Sequence, residues 1–153
     1  MRDPAELKIG DGYGRPVNRP SPDAAVIRAF EQEFSVVLPE DYLSLLEAFN
    51  GGSPEVGVIE AIGDSIEDIF PLVDGQERSF DLFYFARIFA DRLPRKVIPF
   101  AEDSSGNPFL LDLSRHPARV GILFCDEGNR LEWFSPSFSD FLDMLEPEPE
   151  EED

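Results

Sequence analysis

Apolar positions along the chain fall into short runs of recognisable period. Val26, Phe30 and Phe34 recur every four residues and mark one face of a helix. Ser21 offers a cap before it, Pro22 suits the first helical position, and Asp23 complements the helix dipole. After a break at Val37-Leu38-Pro39, Pro39 opens a second helix, with Glu40 and Asp41 in its first turn. Tyr42, Leu45, Leu46 and Phe49 form its core stripe, and Asn50-Gly51-Gly52 stops it. Val56 and Val58 alternate as a strand, and Ile69 to Leu72 reads as a short edge strand because of Pro71. Ser79 is expected to cap a helix reaching Arg92, with Leu82, Phe85, Ile88 and Phe89 on one face; Phe83 and Tyr84 leave a strand open there.

The second half alternates like a meander. Val97–Ala101 leads into a turn at 102–107, and Phe109–Leu113 returns. Arg119–Cys125 and Leu131–Phe134 flank a hairpin turn at Asp126-Glu127-Gly128-Asn129. Ser135-Pro136 starts a last helix, whose Phe138, Phe141, Leu142 and Leu145 again form a stripe. The order of elements predicts an α+β fold: an antiparallel sheet of about five to six strands, with N-terminal helices and a closing C-terminal helix packed on it. Residues 1–20, with Gly10, Gly12, Gly14, Pro16 and Pro20, read as an arm that could pack along the body through Ile9, Tyr13 and Val17. Residues 21–145 read as one domain, and residues 146–153 as a disordered acidic tail.

Several of these pieces together are similar to a known family. Leu38-Pro39-Glu40-Asp41-Tyr42, then Leu45-Leu46 and Asn50-Gly51-Gly52, resembles the signature of the SUKH superfamily (Smi/Knr type). Ile98 to Asp103 with Gly106-Asn107, Val120 to Asp126, and Ser137 to Leu142 resemble its central hairpin, next strand and closing helix, in the same order. Each matched residue also has a purely structural job, as helix opener, stop, turn or core, so the resemblance bears on the fold more than on a site. What it implies about function is binding. Many bacterial members resemble immunity proteins that neutralise a toxin by occupying it, and the cell-wall-regulator branch suggests an alternative, a scaffold or regulatory module for endogenous proteins.

Charge sharpens that implication. The net charge is −19, and the tail's six acidic groups leave −13 on the rest. Nucleic acid and anionic membranes are excluded as partners, because both need a basic footprint. A basic protein fits, above all a toxin domain of the nuclease type, with fast, salt-sensitive association. Residues 55–81 hold eight acids against the single base Arg78, and residues 87–96 hold Arg87, Arg92, Arg95 and Lys96 against Asp91. Either the acidic stretch is a docking surface, or it is a solvated loop and the basic cluster pairs internally. The candidate partner-binding residues are Asp64, Glu67, Asp68, Glu102, Asp103, Asp126 and Glu127, with Trp133 added if it is exposed beside the 126–127 turn, and core otherwise.

No catalytic residues, cofactor or metal are expected. His116 is the only histidine and Cys125 the only cysteine, too few for a nucleophile–base pair with an orienting group or for a zinc site. Asp103-Ser104-Ser105-Gly106-Asn107 has a faint calcium-loop look, but lacks the alternating acids and terminal Glu. There is no phosphate-binding loop and no dinucleotide fingerprint. A polar start, a lone cysteine and the lack of a long apolar run give a cytoplasmic expectation. The sequence sets neither the partner's identity nor the oligomeric state.

Overall fold

Asp23 caps the first helix by accepting from the Val26 amide at 2.9 Å. Helix α1 then spans Ala24–Phe34 in the computed structural model, which describes residues 1–76 and 80–150. Ser21, expected as the cap, instead donates its hydroxyl to the Glu47 carbonyl at 2.6 Å and ties the entry of α1 to the end of α2 (Glu40–Ala48). Pro39 stands at the N-cap of α2, and Tyr42, Leu45 and Leu46 are buried on its stripe. Asn50 does more than end the helix. It is 2% exposed, its amide donates to the carbonyls of Leu72 and Pro20, and its oxygen accepts from the Leu72 amide at 2.8 Å. Gly51 follows at φ +85°, where a Cβ would meet the Ile69 carbonyl oxygen at 2.9 Å, so both the turn and the close approach demand glycine.

The strands form three antiparallel groups. β1 (Ile9–Gly10) pairs with β2 (Ser53–Pro54). β3 (Val56–Ile59) pairs with β4 (Asp64–Ser65) and, on its other side, with β10 (Glu146–Pro147). The main sheet runs β5 (Asp68–Ile69), β6 (Val97–Glu102), β7 (Pro108–Asp112), β8 (Arg119–Phe124) and β9 (Arg130–Ser135), in chain order. The expected α+β architecture stands, with an edge strand, β5, that covers Asp68–Ile69 rather than the expected Ile69–Leu72, so that Pro71 lies just beyond it.

Alternation sorts the side chains of this sheet onto two faces. Ile98, Phe100, Phe109, Leu111, Val120 and Ile122 join the main core with α1, α2 and α4 (Phe138–Met144). Val97, Leu110 and Leu123 point the other way, to a smaller cluster capped by Phe89. The main core is aromatic, as the fourteen phenylalanines require. Tyr42, Phe100, Phe138 and Phe141 meet edge to face at 5.4–6.1 Å, a favoured geometry for such rings. The cap of α4 is Ser137, accepting from the Asp140 amide at 3.0 Å, rather than Ser135, whose hydroxyl donates to the Ser137 carbonyl.

Helix α3 (Leu82–Phe89) begins later than the pattern suggested. Its cap is Asp81; Ser79, expected there, lies outside the described residues. Its buried face is Leu82, Phe83, Ala86 and Phe89. Ile88, placed on the core stripe by spacing, is 47% exposed, while Phe85 stacks flat on Phe70 with centroids 3.8 Å apart.

The arm is part of the body. Leu7 and Ile9 are buried in the main core, whereas Tyr13 is exposed and Val17 only partly covered. Arg2 donates to the carbonyls of Leu142 and Leu145 at 2.9 and 2.7 Å, capping the end of α4 with a cation. The acidic tail starts ordered as well, since Glu146 and Pro147 pair with β3 before the chain turns fully exposed.

Candidate functional site

Antiparallel pairing decides where the charges go. β6 and β8 end, and β5, β7 and β9 begin, at the same end of the main sheet. Asp68 faces Glu102 across the β5–β6 pair, and the Glu67 amide donates to the Glu102 carbonyl at 2.9 Å. Asp103 follows at once, and Asp64 of β4 hydrogen-bonds to it. Asp64, Glu67, Asp68, Glu102 and Asp103, from two separate stretches of sequence, 64–68 and 102–103, are thereby gathered at one place.

Their electrostatics show the crowding. Burial, then the hydrogen bond it donates to Asp103, pushes the Asp64 carboxyl up to about 6. Burial also acts to raise Asp103, but hydrogen bonds from Asp64, from the Asn107 side chain and from the Asn107 and Ser105 amides outweigh it and hold Asp103 below its ordinary value. Asp64 is therefore the proton carrier of the pair and Asp103 the anion. Asp68 is raised by burial, with Arg19 opposing and Glu67 adding; Glu102 is raised by burial and by Asp68, Asp103 and Glu67.

The Asp103 turn is built for shape, not for a cation. One carboxylate oxygen accepts from the Ser105 and Asn107 amides at 2.9 and 2.8 Å, and the other from the Asn107 side chain at 3.0 Å. The Asn107 oxygen in turn accepts from the Cys125 amide at 3.0 Å, locking this turn to the β8–β9 hairpin. Asp126 and Glu127 are brought to the same end by that link, both exposed. Glu127 is half neutralised, since Arg130 reaches both of its oxygens at 3.3 Å. Among the described residues, no group of three or more His, Cys, Asp or Glu side chains is placed to hold a metal ion.

Trp133 does not join them. It pairs with Gly121, three residues or about 10 Å from Arg130 at the turn, on the smaller-cluster face of the sheet. Its indole lies so close over Gly121 that a Cβ there would sit 2.5 Å from the ring. It is half-buried, with the Arg119 guanidinium 4.2 Å from its ring centroid.

The acidic stretch 55–81 also divides. Asp81 is fully buried; one oxygen accepts from the Val73, Asp74 and Gly75 amides at 3.1–3.2 Å and the other caps α3 at the Tyr84 amide. It is a folding residue, not a docking one. Glu77 and Arg78 lie outside the described residues. The basic cluster forms no ion pair with this stretch among the described residues: Arg87 binds Glu33 of α1 at 2.6 and 2.7 Å and donates to the Gly75 carbonyl at 2.7 Å, and Arg92, Arg95 and Lys96 make no ion pair among the described residues.

Next to the carboxylates is a cleft of about 490 Å³ between the arm and β2–β3, lined in part by Glu55, Glu67 and Glu148, with Lys8 and Arg15 opposite. The tail leaves past Asp64, where Glu148 and Pro149 border a shallow depression with Val58 and Gly63. Sequence reasoning missed Asn107 as the bracket and Arg19 as the cation beside Asp68. A side-chain bracket between two turns leaves no periodic signal, and Arg19 belonged to a segment read as an arm. His116 is exposed on the β7–β8 loop and makes no hydrogen bond among the described residues.

A family model described as the SMI1/KNR4 family (SUKH-1) matches residues 21–144. The chain belongs to that family. The match spans both N-terminal helices, the main sheet and the closing helix, and the signature residues of this SMI1/KNR4 chain do structural work: Pro39 opens α2, Asn50 brackets Leu72, and Phe141 and Leu142 are core. No curated protein matches the chain. Among the described residues, no helix is long and apolar enough to cross a membrane.

Proposed function

We propose that this chain is a non-catalytic binding protein of the immunity type, which neutralises a basic, nuclease-type toxin domain by docking it on the acidic end of the sheet. The observation that carries this reading is the convergence of Asp64, Glu67, Asp68, Glu102 and Asp103 from two chain segments onto one end, beside a cleft. Carboxylates crowded so closely that one retains a proton near pH 6 cost folding energy, and a cation from a partner relieves that cost.

Charge polarity adds orientation. The strands of the main sheet carry acids at one end, whereas Arg95, Lys96, Arg115 and Arg119 flank the other, about 20 Å away along β6. A basic partner approaching such a body is steered to the acidic end, with a capture rate that falls as salt rises. The work proposed here lies inside the cell, where a toxin would otherwise act.

Co-expression with the toxin domain encoded beside this gene tests the reading. Growth rescue together with a one-to-one complex supports it, and rescue should vanish in a Glu67→Lys/Glu102→Lys double variant that still folds. Absence of a neighbouring toxin, with capture of host proteins at the same end, would favour the scaffold or regulatory alternative.

A further inference from the structure

The sheet face opposite the main core has the composition of an interface. Leu110 and Leu123 are fully buried there, yet the layer above them, Phe85, Leu93, Cys125, Leu131 and Trp133, is only partly covered. Around these groups stand cations. Arg92 lies 4.3 Å over the Phe89 ring and Arg119 4.2 Å over Trp133, so both guanidinia are held flat on the apolar layer. Arg95 and Lys96 immediately precede Val97, which faces this cluster. Of the four, only Arg119 has an acidic partner among the described residues, Asp112 at 2.8 Å. Tryptophan and arginine around an apolar centre are the residue types that dominate binding hot spots.

We propose that this face is a second docking surface, whose occupant is an acidic polypeptide segment carrying apolar side chains. Charge chooses the occupant. A second copy using the same patch would set Arg92, Arg95, Lys96 and Arg119 against their own equivalents, which disfavours a symmetric dimer. An acidic segment meets Arg92, Arg95 and Lys96, which make no ion pair among the described residues, and its apolar side chains cover Trp133 and Leu131. The face is separate from the acidic end, so the chain can hold a basic and an acidic partner at once. The inference stands whether or not the toxin reading does.

Trp133 is the single tryptophan, so its fluorescence reports on this face directly. The probe is a synthetic peptide of Glu, Asp, Leu and Phe, compared with a counterpart in which Lys replaces each acid. The acidic peptide should shift the Trp133 emission saturably, and the basic one should not. Arg92→Glu/Lys96→Glu should weaken the acidic peptide by about tenfold or more, while Glu67→Lys/Glu102→Lys at the far end leaves it unchanged or slightly tighter. Both affected sites are surface positions, so circular dichroism should show unaltered folding. A spectral response equal for both peptides, no saturable response, or binding indifferent to these variants overturns the proposal. So does sedimentation velocity that finds a dimer abolished by Leu131→Asp.

Discussion

The Asp64 carboxyl donates its proton to the Asp103 carboxylate, joining β4 to the turn between β6 and β7. The two residues are 39 positions apart in sequence, and nothing local brings them together. Their pairing places a titrating group with a value of about 6 in the middle of the acidic end.

That value sets a pH dependence. Below about 6 the pair carries one negative charge, above it two, so affinity for a basic partner should rise as pH increases through 6, with proton release on binding. The effect on folding has the opposite sign for Asp64. Between its unfolded value near 3.8 and about 6 the native state holds the extra proton, so the stability owed to Asp64 is lost as pH rises through that window. Asp103, held low, contributes stability that is lost as pH falls through its folded value. Carbon-detected NMR of the Asp carboxyls should show an apparent titration near 6 for the pair, moving down in Asp103→Asn but staying above the ordinary Asp value, because burial is the larger cause.

Asp81 holds α3 and the preceding loop with four backbone amides. Asp81→Ala removes a helix cap and leaves three loop donors unmatched, so it should cost roughly 2–4 kcal/mol in urea unfolding. Asp74→Ala, next to it on the exposed surface, should cost less.

Tyr42 is buried among Phe100 and Phe138, and its hydroxyl has no hydrogen-bond partner among the described residues. Burial alone pushes its pKa above the ordinary tyrosine value. Tyr42→Phe removes an unsatisfied polar atom and should be neutral or stabilising by about 1 kcal/mol, whereas Tyr42→Ala should cost roughly 3–5 kcal/mol. Thermal unfolding of the two variants separates these outcomes.

Gly121 is the floor on which Trp133 lies, with no room for a methyl group. Gly121→Ala should lift the indole, destabilise by roughly 1–3 kcal/mol, and shift the tryptophan emission to the red. An unchanged emission maximum would contradict the described contact.

Much of the fold can be read from spacing. Tyr42, Leu45 and Leu46 on α2, and Phe138, Phe141, Leu142 and Leu145 at the closing helix, are buried where their period puts them. Helix starts were less legible, because Ser21 and Ser135 have the right chemistry for a cap but spend their hydroxyls on tertiary and loop carbonyls. The face of α3 was misplaced at Ile88. The helix is short and rich in apolar residues on all sides, so its period does not say which side meets the sheet. Leu7 and Ile9 were hidden by the glycines and prolines around them.

The site was legible in its residues but not in its assembly. Acidic candidates can be picked by composition, yet their convergence depends on strand register, as in Asp68 opposite Glu102, which a single sequence does not encode locally. The same register carried Trp133 away from the 126–127 turn.

The most direct test of the account is stopped-flow association of this chain with a basic nuclease-type toxin domain, the partner proposed for it, measured across ionic strength for the native chain and for Glu67→Lys/Glu102→Lys. The account predicts a rate constant that falls steeply with salt, drops about tenfold or more in the variant at low salt, and loses most of its salt dependence there. A rate constant insensitive to both salt and the charge reversal would contradict it.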